Sequence, residues 1–224
     1  MARPPCNQTG SERELDAQLE LASAVKVLIA LAVLDAAQRE NRYVDRFELS
    51  LLWPMITLSD NDSATRLWDQ IGGGPGLANY PASIGATGIS PYDGPYWGTS
   101  TASANSLATV VARAAFGDLQ NSEHRKLFLN LLESVTPSQR WGISAAAEGE
   151  GGSGDLVGLK NGWYPADAGW RVNSVGFVVS NDGLRYYTIA ILTNSQANWD
   201  YGIATIEGVA ERVHSAIGSA ANNP

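Results

Sequence analysis

Cysteine and histidine are nearly absent from this chain, whose 224 residues include one cysteine, Cys6, and two histidines, His124 and His214. A single cysteine excludes an intramolecular disulfide and a cysteine-based zinc site, and two widely separated histidines argue against a metal cluster. Basic residues are also in deficit, with 15 Lys+Arg against 23 Asp+Glu and a net charge of −8. The sequence therefore predicts no metal, no cofactor and no nucleic-acid partner.

Long apolar runs are absent as well. The most apolar stretch, residues 25–34, is too short to cross a membrane and contains Lys26. Residues 1–10 are polar, and no hydrophobic segment of the kind found in a secretory signal follows them before Ser11. We therefore expect no membrane partner, and a cytoplasmic location for the chain as written. An extracellular location is expected if a leader has been removed.

The chain contains a helical first part followed by strand-like segments. Apolar residues near i, i+3, i+4 spacing over 15–39 predict one long helix, preceded by a capping box of Ser11 and Glu14. Residues 75–98 are rich in proline and glycine and predict a loop. This order predicts an α+β fold with a helical lobe, an antiparallel sheet and a closing C-terminal helix. The other predicted helices are 47–53, 61–71, 102–116, 122–134 and 201–217, and the predicted strands are 156–160, 170–179 and 186–193.

Three short motifs follow one another along the chain: Ser23-Ala-Val-Lys26, Ser59-Asp-Asn61 and Lys160-Asn-Gly162. Each alone has an ordinary structural explanation. The first can be the polar edge of an amphipathic helix, the second a helix cap and the third a turn. Ser-x-x-Lys, Ser-Asp-Asn and Lys-[Thr/Ser]-Gly in this order are together typical of enzymes that transfer acyl groups through an active-site serine.

The residue types in these motifs suit acyl transfer. Ser23 and Lys26 are three residues apart, so on a helix they share one face and the amine can approach the hydroxyl. Lysine accepts a proton only when neutral, and burial together with a second cation at Lys160 favours the neutral form. Ser59 can then relay a proton between the two lysines, and Asn61 can hold a substrate amide.

The third motif adds two further expectations. Lys160 on a strand edge can bind a substrate carboxylate. The backbone N–H groups of Ser23 and Trp163 would form the oxyanion hole that stabilises the tetrahedral intermediate.

The motif set resembles the class A β-lactamase and penicillin-binding branch of the serine hydrolases. It is most similar to actinobacterial class A-like serine hydrolases with a Lys-Asn-Gly-Trp third motif. The resemblance covers 21–217, which we interpret as one serine-hydrolase domain preceded by an atypical segment 1–20 and followed by a tail 218–224. It is carried by residues 22–27, 56–61, 97–101 and 160–163.

This resemblance implies a β-lactamase/transpeptidase-like fold and a role for each motif residue. Ser23 would be the nucleophile and Lys26 the base, with Ser59 and Asn61 as the second motif and Lys160 as the third. Around the third motif, Asn161, Gly162 and Trp163 would contact the substrate together with Asn61.

Two departures from the family pattern concern substrate turnover. The β-lactamases of the family carry a Glu on an Ω-loop that activates water for deacylation, but between Gly72 and Ser122 the only acids are Asp93 and Asp118. Asp93 can substitute only with a shorter side chain, so we expect slow deacylation and doubt efficient β-lactamase activity. Asn161 replaces the usual Thr or Ser, and it can still donate a hydrogen bond to a carboxylate.

A third departure concerns the N-terminal side of the domain. The family has two strands before the nucleophile helix, whereas only 22 residues precede Ser23 here and they have a helical pattern. We expect about three strands, with the open sheet edge uncovered, covered by the N-terminal segment or covered by a second copy in a homodimer. If one helix ran unbroken through Ser23, its N–H would be bonded within that helix and lost to the oxyanion hole.

The sequence leaves three functions open. The first is a serine hydrolase that forms an acyl-enzyme on Ser23 with a small-molecule or peptide amide, ester or β-lactam. The second is a non-catalytic binding protein on the same fold, and the third is an acyltransferase of specialised metabolism. A helix that begins near Ala22 favours an enzyme, whereas a helix continuous from Leu15 favours the binding protein.

Overall fold

The computed structural model describes residues 16–148 and 154–221. Cys6 and the predicted capping box of Ser11 and Glu14 lie outside the described residues. The described helices are α1 Lys26–Arg39, α2 Arg46–Thr57, α3 Asn61–Gln70, α4 Gly73–Ser83, α5 Ala104–Ala115, α6 Ser122–Glu133, α7 Ala145–Glu148 and α8 Trp199–Ala221. The described strands are β1 Leu19–Glu20, β2 Ile89–Ser90, β3 Thr101–Ala102, β4 Leu156–Ala166, β5 Gly169–Val179 and β6 Tyr186–Leu192.

Helix α1 is the centre of the helical lobe. Ten of its 14 residues are buried, so it is enclosed on all sides rather than on one face. It packs against α2, α3, α4 and α6. A helix surrounded in this way can carry a charged group such as Lys26 only where polar partners meet it, which fixes the place of the site.

The larger sheet has the order β4-β5-β6 and is antiparallel throughout. Its two faces have different partners, because Val175 and Phe177 join the core of the helical lobe whereas Val178 and Ile189 pack with Ala210 of α8. The result is an α+β arrangement in which the sheet lies between the helical lobe and the closing helix, as predicted. Among the described residues this sheet has three strands, and β6 has no further strand partner.

The prediction of one helix over 15–39 is wrong at its N-terminal end. Leu19 and Glu20 instead form β1, which pairs with β3 in a small second sheet of order β1-β3-β2. The Leu21 N–H donates to Ser100 O at 2.9 Å, and a positive φ of 49° at Ala22 interrupts helical geometry. The helical spacing of apolar residues therefore extends into a segment whose backbone is paired with strand β3 instead.

Two proline-containing segments also differ from the predictions. Helix α2 continues through Pro54 instead of ending there, because the buried Leu52, Met55 and Ile56 hold its last turn in the core. The proline leaves the carbonyl of Ser50 without an intrahelical donor, but Ser50 is an exposed residue. The predicted loop 75–98 begins with helix α4 instead. Pro75 lies in the first turn of α4, where its missing N–H has no intrahelical partner to lose.

The buried carboxylate of Glu48 makes a testable contribution to the lobe. It accepts from Arg42 at 2.7 and 2.9 Å, from Gln70 at 2.9 Å and from the Asp45 N–H at 3.0 Å. The hydrogen bonds from Arg42 are the main cause of its lowered pKa. Glu48→Gln is expected to reduce the free energy of unfolding at pH 7 by about 1–3 kcal/mol, measured by urea denaturation. Because the pKa of Glu48 is lower in the folded state, its contribution to stability is fully present above the unfolded-state pKa of about 4.3. The difference in free energy of unfolding between variant and wild type should therefore shrink as the pH falls below that value.

The control for this variant is Glu40→Gln. Glu40 pairs with the same Arg42, but its side chain is 62 % exposed, so a change of less than about 1 kcal/mol is expected. Equal losses for the two variants would contradict the assignment.

Candidate active site

Ser23 lies in a single 3₁₀ turn, Ala22–Val25, that leads directly into α1 at Lys26. Residues three apart in such a turn eclipse one another, so the side chains of Ser23 and Lys26 leave the backbone on the same side. Among the described residues, no hydrogen bond engages the Ser23 N–H or its hydroxyl. The helical segment therefore begins near Ala22, as the enzyme hypothesis requires. The Ser23 N–H remains available as a donor for an oxyanion.

Asn173 fixes the segment before this turn, and sequence reasoning missed it. Its fully buried side chain donates from Nδ2 to Glu20 O at 2.9 Å and to Leu21 O at 3.1 Å. These bonds help to hold the left-handed backbone of Ala22, a conformation that costs free energy in a non-glycine residue. The signal in the sequence is a lone asparagine inside an apolar strand pattern.

Gly162 brings strand β4 against the Ser23 turn. A Cβ atom at this position would lie 2.5 Å from Ala24 N and 2.7 Å from Ser23 N, closer than atoms can approach. The glycine of the third motif is therefore required by backbone contact.

The N–H of Trp163 points to the free edge of β4. Trp163 pairs in register with Val172, whose backbone groups both bond to Thr193 on the β6 side. The Val172 N–H donates to Thr193 Oγ1 at 3.3 Å, and the Val172 carbonyl accepts from the same hydroxyl at 2.6 Å. Backbone groups alternate in direction along an antiparallel strand, so the Trp163–Val172 pair shares no hydrogen bonds. The Trp163 N–H thus opens onto the β4 edge, one residue from the contact of Gly162 with the Ser23 turn.

The amine of Lys26 is buried among acceptors from the second motif. Its Nζ donates to Ser59 O at 2.6 Å, to Ser59 Oγ at 3.2 Å and to Asn61 Oδ1 at 2.8 Å. Burial lowers the pKa of Lys26 to about 7, against the opposing attraction of the Asp60 carboxylate. The ring of Trp97 also covers the amine, with its centroid 4.9 Å from Nζ.

Lys160 approaches the same hydroxyl from the sheet. Its Nζ is 3.0 Å from Ser59 Oγ and 2.6 Å from Asn161 O. Burial, followed by the nearby Lys26, holds the pKa of Lys160 well below its usual range. The structure therefore brings Lys26, Ser59 and Lys160 together as the sequence predicted.

Ser59 is held in an unusual backbone conformation. It has a φ of 62°, in the left-handed region. Asp60 then caps α3 by accepting from the Ser63 N–H at 2.7 Å. The strained residue turns its carbonyl and hydroxyl toward Lys26 while the cap fixes the start of the helix that carries Asn61.

Asn161 differs from its predicted use. Its Nδ2 donates to Gln139 O at 2.8 Å and to Trp141 O at 3.0 Å, and the residue is buried. Both amide hydrogens are therefore occupied by the backbone of the segment before α7. The side chain anchors that segment and offers no donor to a substrate carboxylate.

A cavity of about 330 Å³ opens in front of Ser23. Four of the ten residues that line it are aromatic, and neither a carboxylate nor an arginine is among them. They are Ala22, Ser23, Asn61, Pro95, Tyr96, Trp97, Gly98, Thr99, Trp163 and Tyr164.

Asp93 does not line this cavity, although it lies only two residues before Pro95. It is exposed. The one acid that could replace the missing glutamate therefore does not face Ser23 in this structure.

Comparison with known proteins supports the likeness suggested by the motifs. A sequence model described as "Beta-lactamase enzyme family" matches residues 48–217, which is 170 of 224 residues and begins after the first motif. The putative class A β-lactamase PenP from Rhodopseudomonas palustris has a similar structure, with a TM-score of 0.75, 21% identity and coverage of 91% of this chain and 87% of that one. The ancestral class A β-lactamase GNCA is also similar, with a TM-score of 0.75, 20% identity and coverage of 91% of this chain and 87% of that one. No curated protein matches.

The contact at Gly162 can be tested by substitution. Gly162→Ala forces a Cβ into the backbone of the Ser23 turn, so the free energy of unfolding is expected to fall by about 1–3 kcal/mol. Gly208→Ala is the control, because Gly208 lies in helix α8 with no atom within 4 Å of its added Cβ. It should stabilise the protein by about 0.5–1 kcal/mol in the same denaturation experiment. Two neutral substitutions would refute the close approach.

Proposed function

The chain belongs to the beta-lactamase enzyme family, and from this premise we propose that it forms an acyl-enzyme on Ser23 with an amide, ester or β-lactam and releases the acyl group slowly. The observation that carries this proposal is the position of two buried lysine amines, Lys26 and Lys160, on the single hydroxyl of Ser59 beside the Ser23 turn. Because burial lowers the pKa of Lys26 to about 7, this arrangement supplies a base three residues from the proposed nucleophile.

Acylation begins with attack by Ser23 Oγ on the carbonyl carbon of the acyl donor. The proton of the hydroxyl passes to neutral Lys26, and the N–H groups of Ser23 and Trp163 stabilise the oxyanion of the tetrahedral intermediate. When the intermediate collapses, the C–N or C–O bond to the leaving group breaks. Ser59 Oγ, which contacts both lysines, relays the proton that the leaving group takes.

Asn61 is proposed to orient the donor. Its Oδ1 accepts from Lys26 at 2.8 Å, which directs the other half of the amide, an N–H donor, toward the cavity that the residue lines. An acyl-side amide carbonyl is the group it would hold.

Slow deacylation follows from the chemistry of the cavity walls. None of the lining residues carries a carboxylate that could activate water. The same observation favours a second candidate, an acyltransferase whose acceptor is an amine. The non-catalytic alternative is disfavoured, because the 3₁₀ turn that leads into α1 begins at Ala22 and leaves the Ser23 N–H available.

The proposal is tested by intact-protein mass after incubation with a fluorescent penicillin, beside the variant Ser23→Ala. A long-lived adduct that requires Ser23 is expected. Rapid turnover without accumulation would contradict slow deacylation. An adduct equally formed by Ser23→Ala would overturn the assignment of the nucleophile.

The pH dependence of acylation tests the role of Lys26. Because burial lowers its pKa to about 7, the neutral base is depleted below that pH and predominant above it. The acylation rate should rise about tenfold per pH unit below 7 and level off above. Lys26→Arg should lose more than about 10²-fold at every pH, since arginine stays protonated. A flat profile in the wild type would argue against a lysine base.

The fate of the acyl group tests the remaining step. Asp93→Asn is expected to leave the lifetime of the adduct unchanged, because Asp93 is exposed and does not line the cavity. If the cavity accommodates an amine acceptor, hydroxylamine should shorten the lifetime of the Ser23 adduct by a larger factor than it shortens the lifetime of a model serine ester in solution at the same concentration. A longer lifetime in Asp93→Asn would show instead that this carboxylate activates water.

A further inference from the structure

The third motif does not supply a counter-ion for a negatively charged substrate. Both amide hydrogens of Asn161 are donated to main-chain carbonyls, those of Gln139 and Trp141. The remaining polar atom of this side chain, Oδ1, is an acceptor and is buried. The side chain therefore has no donor left for a substrate carboxylate.

The lysines do not replace the missing donor. Lys160 is 1 % exposed, and its amine is engaged with Ser59 Oγ and Asn161 O. Lys26 is fully buried beneath the second motif. Burial favours the uncharged form of both amines. No arginine, lysine or histidine is among the residues that line the cavity.

The cavity instead offers aromatic surfaces from two directions. Tyr96 and Trp97 come from the loop before β3, and Trp163 and Tyr164 come from β4. The Trp97 ring is fixed by its Nε1 hydrogen bond to Thr65 Oγ1 at 3.2 Å and by the Lys26 amine beneath it.

Trp163 is supported from behind by two further tryptophans. Its ring centroid lies 5.6 Å from that of Trp141 and 6.1 Å from that of Trp199. Trp141 and Trp199 also meet each other edge to face at 6.3 Å. Packed aromatic rings lose little freedom when a ligand ring stacks on them, so these walls suit a flat apolar group.

We propose that the site takes neutral acyl donors with an aromatic acyl group and does not depend on a carboxylate in the donor. This inference rests on the proposed acylation of Ser23 and specifies its substrate class. The bond that breaks is the ester or amide bond of the donor, and the aromatic part stays on Ser23 as its ester.

The charge preference is tested with benzylpenicillin and its methyl ester, which share an aromatic acyl group and differ in the carboxylate. Acylation rates of Ser23 are measured by intact mass, and each is divided by the rate of the same compound with hydroxide to remove intrinsic reactivity. The methyl ester is expected to react at least as fast as the free acid. A free acid that reacts more than about tenfold faster, the effect of one hydrogen bond to a charged group, would overturn the inference.

The aromatic preference is tested with p-nitrophenyl phenylacetate and p-nitrophenyl acetate. The ratio of their normalised acylation rates should exceed about tenfold in the wild type and fall by about tenfold in Trp163→Ala, because ring burial contributes on the order of 1–2 kcal/mol. Trp53→Ala is the matched control, since Trp53 is a partly exposed tryptophan on α2 that does not line the cavity. Its ratio should equal that of the wild type.

The outcomes separate the inference from the function on which it rests. A wild-type ratio near one, or a ratio unchanged in Trp163→Ala, would overturn the aromatic preference while acylation of Ser23 stands. Failure of all four compounds to acylate Ser23 would overturn the proposed function and the substrate class with it.

Discussion

Two lysine amines meet one serine hydroxyl at the centre of this protein. Lys26 and Lys160 lie 3.2 and 3.0 Å from Ser59 Oγ, and both are buried. Burial disfavours the charged form of both amines, and the nearby charge of Lys26 disfavours it further at Lys160, so the arrangement favours loss of a proton. The fold thus lowers the pKa of two amines that would be fully protonated in water at neutral pH. The proton that one amine gives up can be held by the other through the hydroxyl between them.

This contact also joins the two halves of the molecule. Lys26 begins the central helix of the helical lobe, Ser59 precedes α3, and Lys160 belongs to the first strand of the large sheet. Their side chains meet only if lobe and sheet keep one relative position. Gly162 and Asn173 secure that position through backbone contacts with the Ser23 turn. The geometry of the candidate site therefore depends on the packing of the two halves against each other.

The sequence was sufficient for the grouping of the motifs and for most elements of secondary structure, because spacing and chain order carry that information. It was insufficient where tertiary hydrogen bonds overrule local pattern. The helix predicted over 15–39 begins late because Leu21 bonds to Ser100 in a distant segment. The donors of Asn161 were assigned to a substrate, although nearby main-chain carbonyls compete for them. The positive φ of Ser59 has no signature in its residue type.

The absence of a carboxylate from the cavity walls has a consequence that differs for acylation and deacylation. Acylation needs a base for the serine proton, and Lys26, three residues after Ser23, is the base that we propose. Deacylation needs a base placed for an incoming nucleophile, and no residue that lines the cavity in front of Ser23 carries a carboxylate, whereas four of them are aromatic. Water gains little from such walls and receives no activation there, whereas a neutral amine is a stronger nucleophile that needs less help. In the proposed mechanism, the composition of the cavity therefore disfavours attack by water on the acyl-enzyme more than attack by an amine acceptor, which favours acyl transfer over β-lactam hydrolysis.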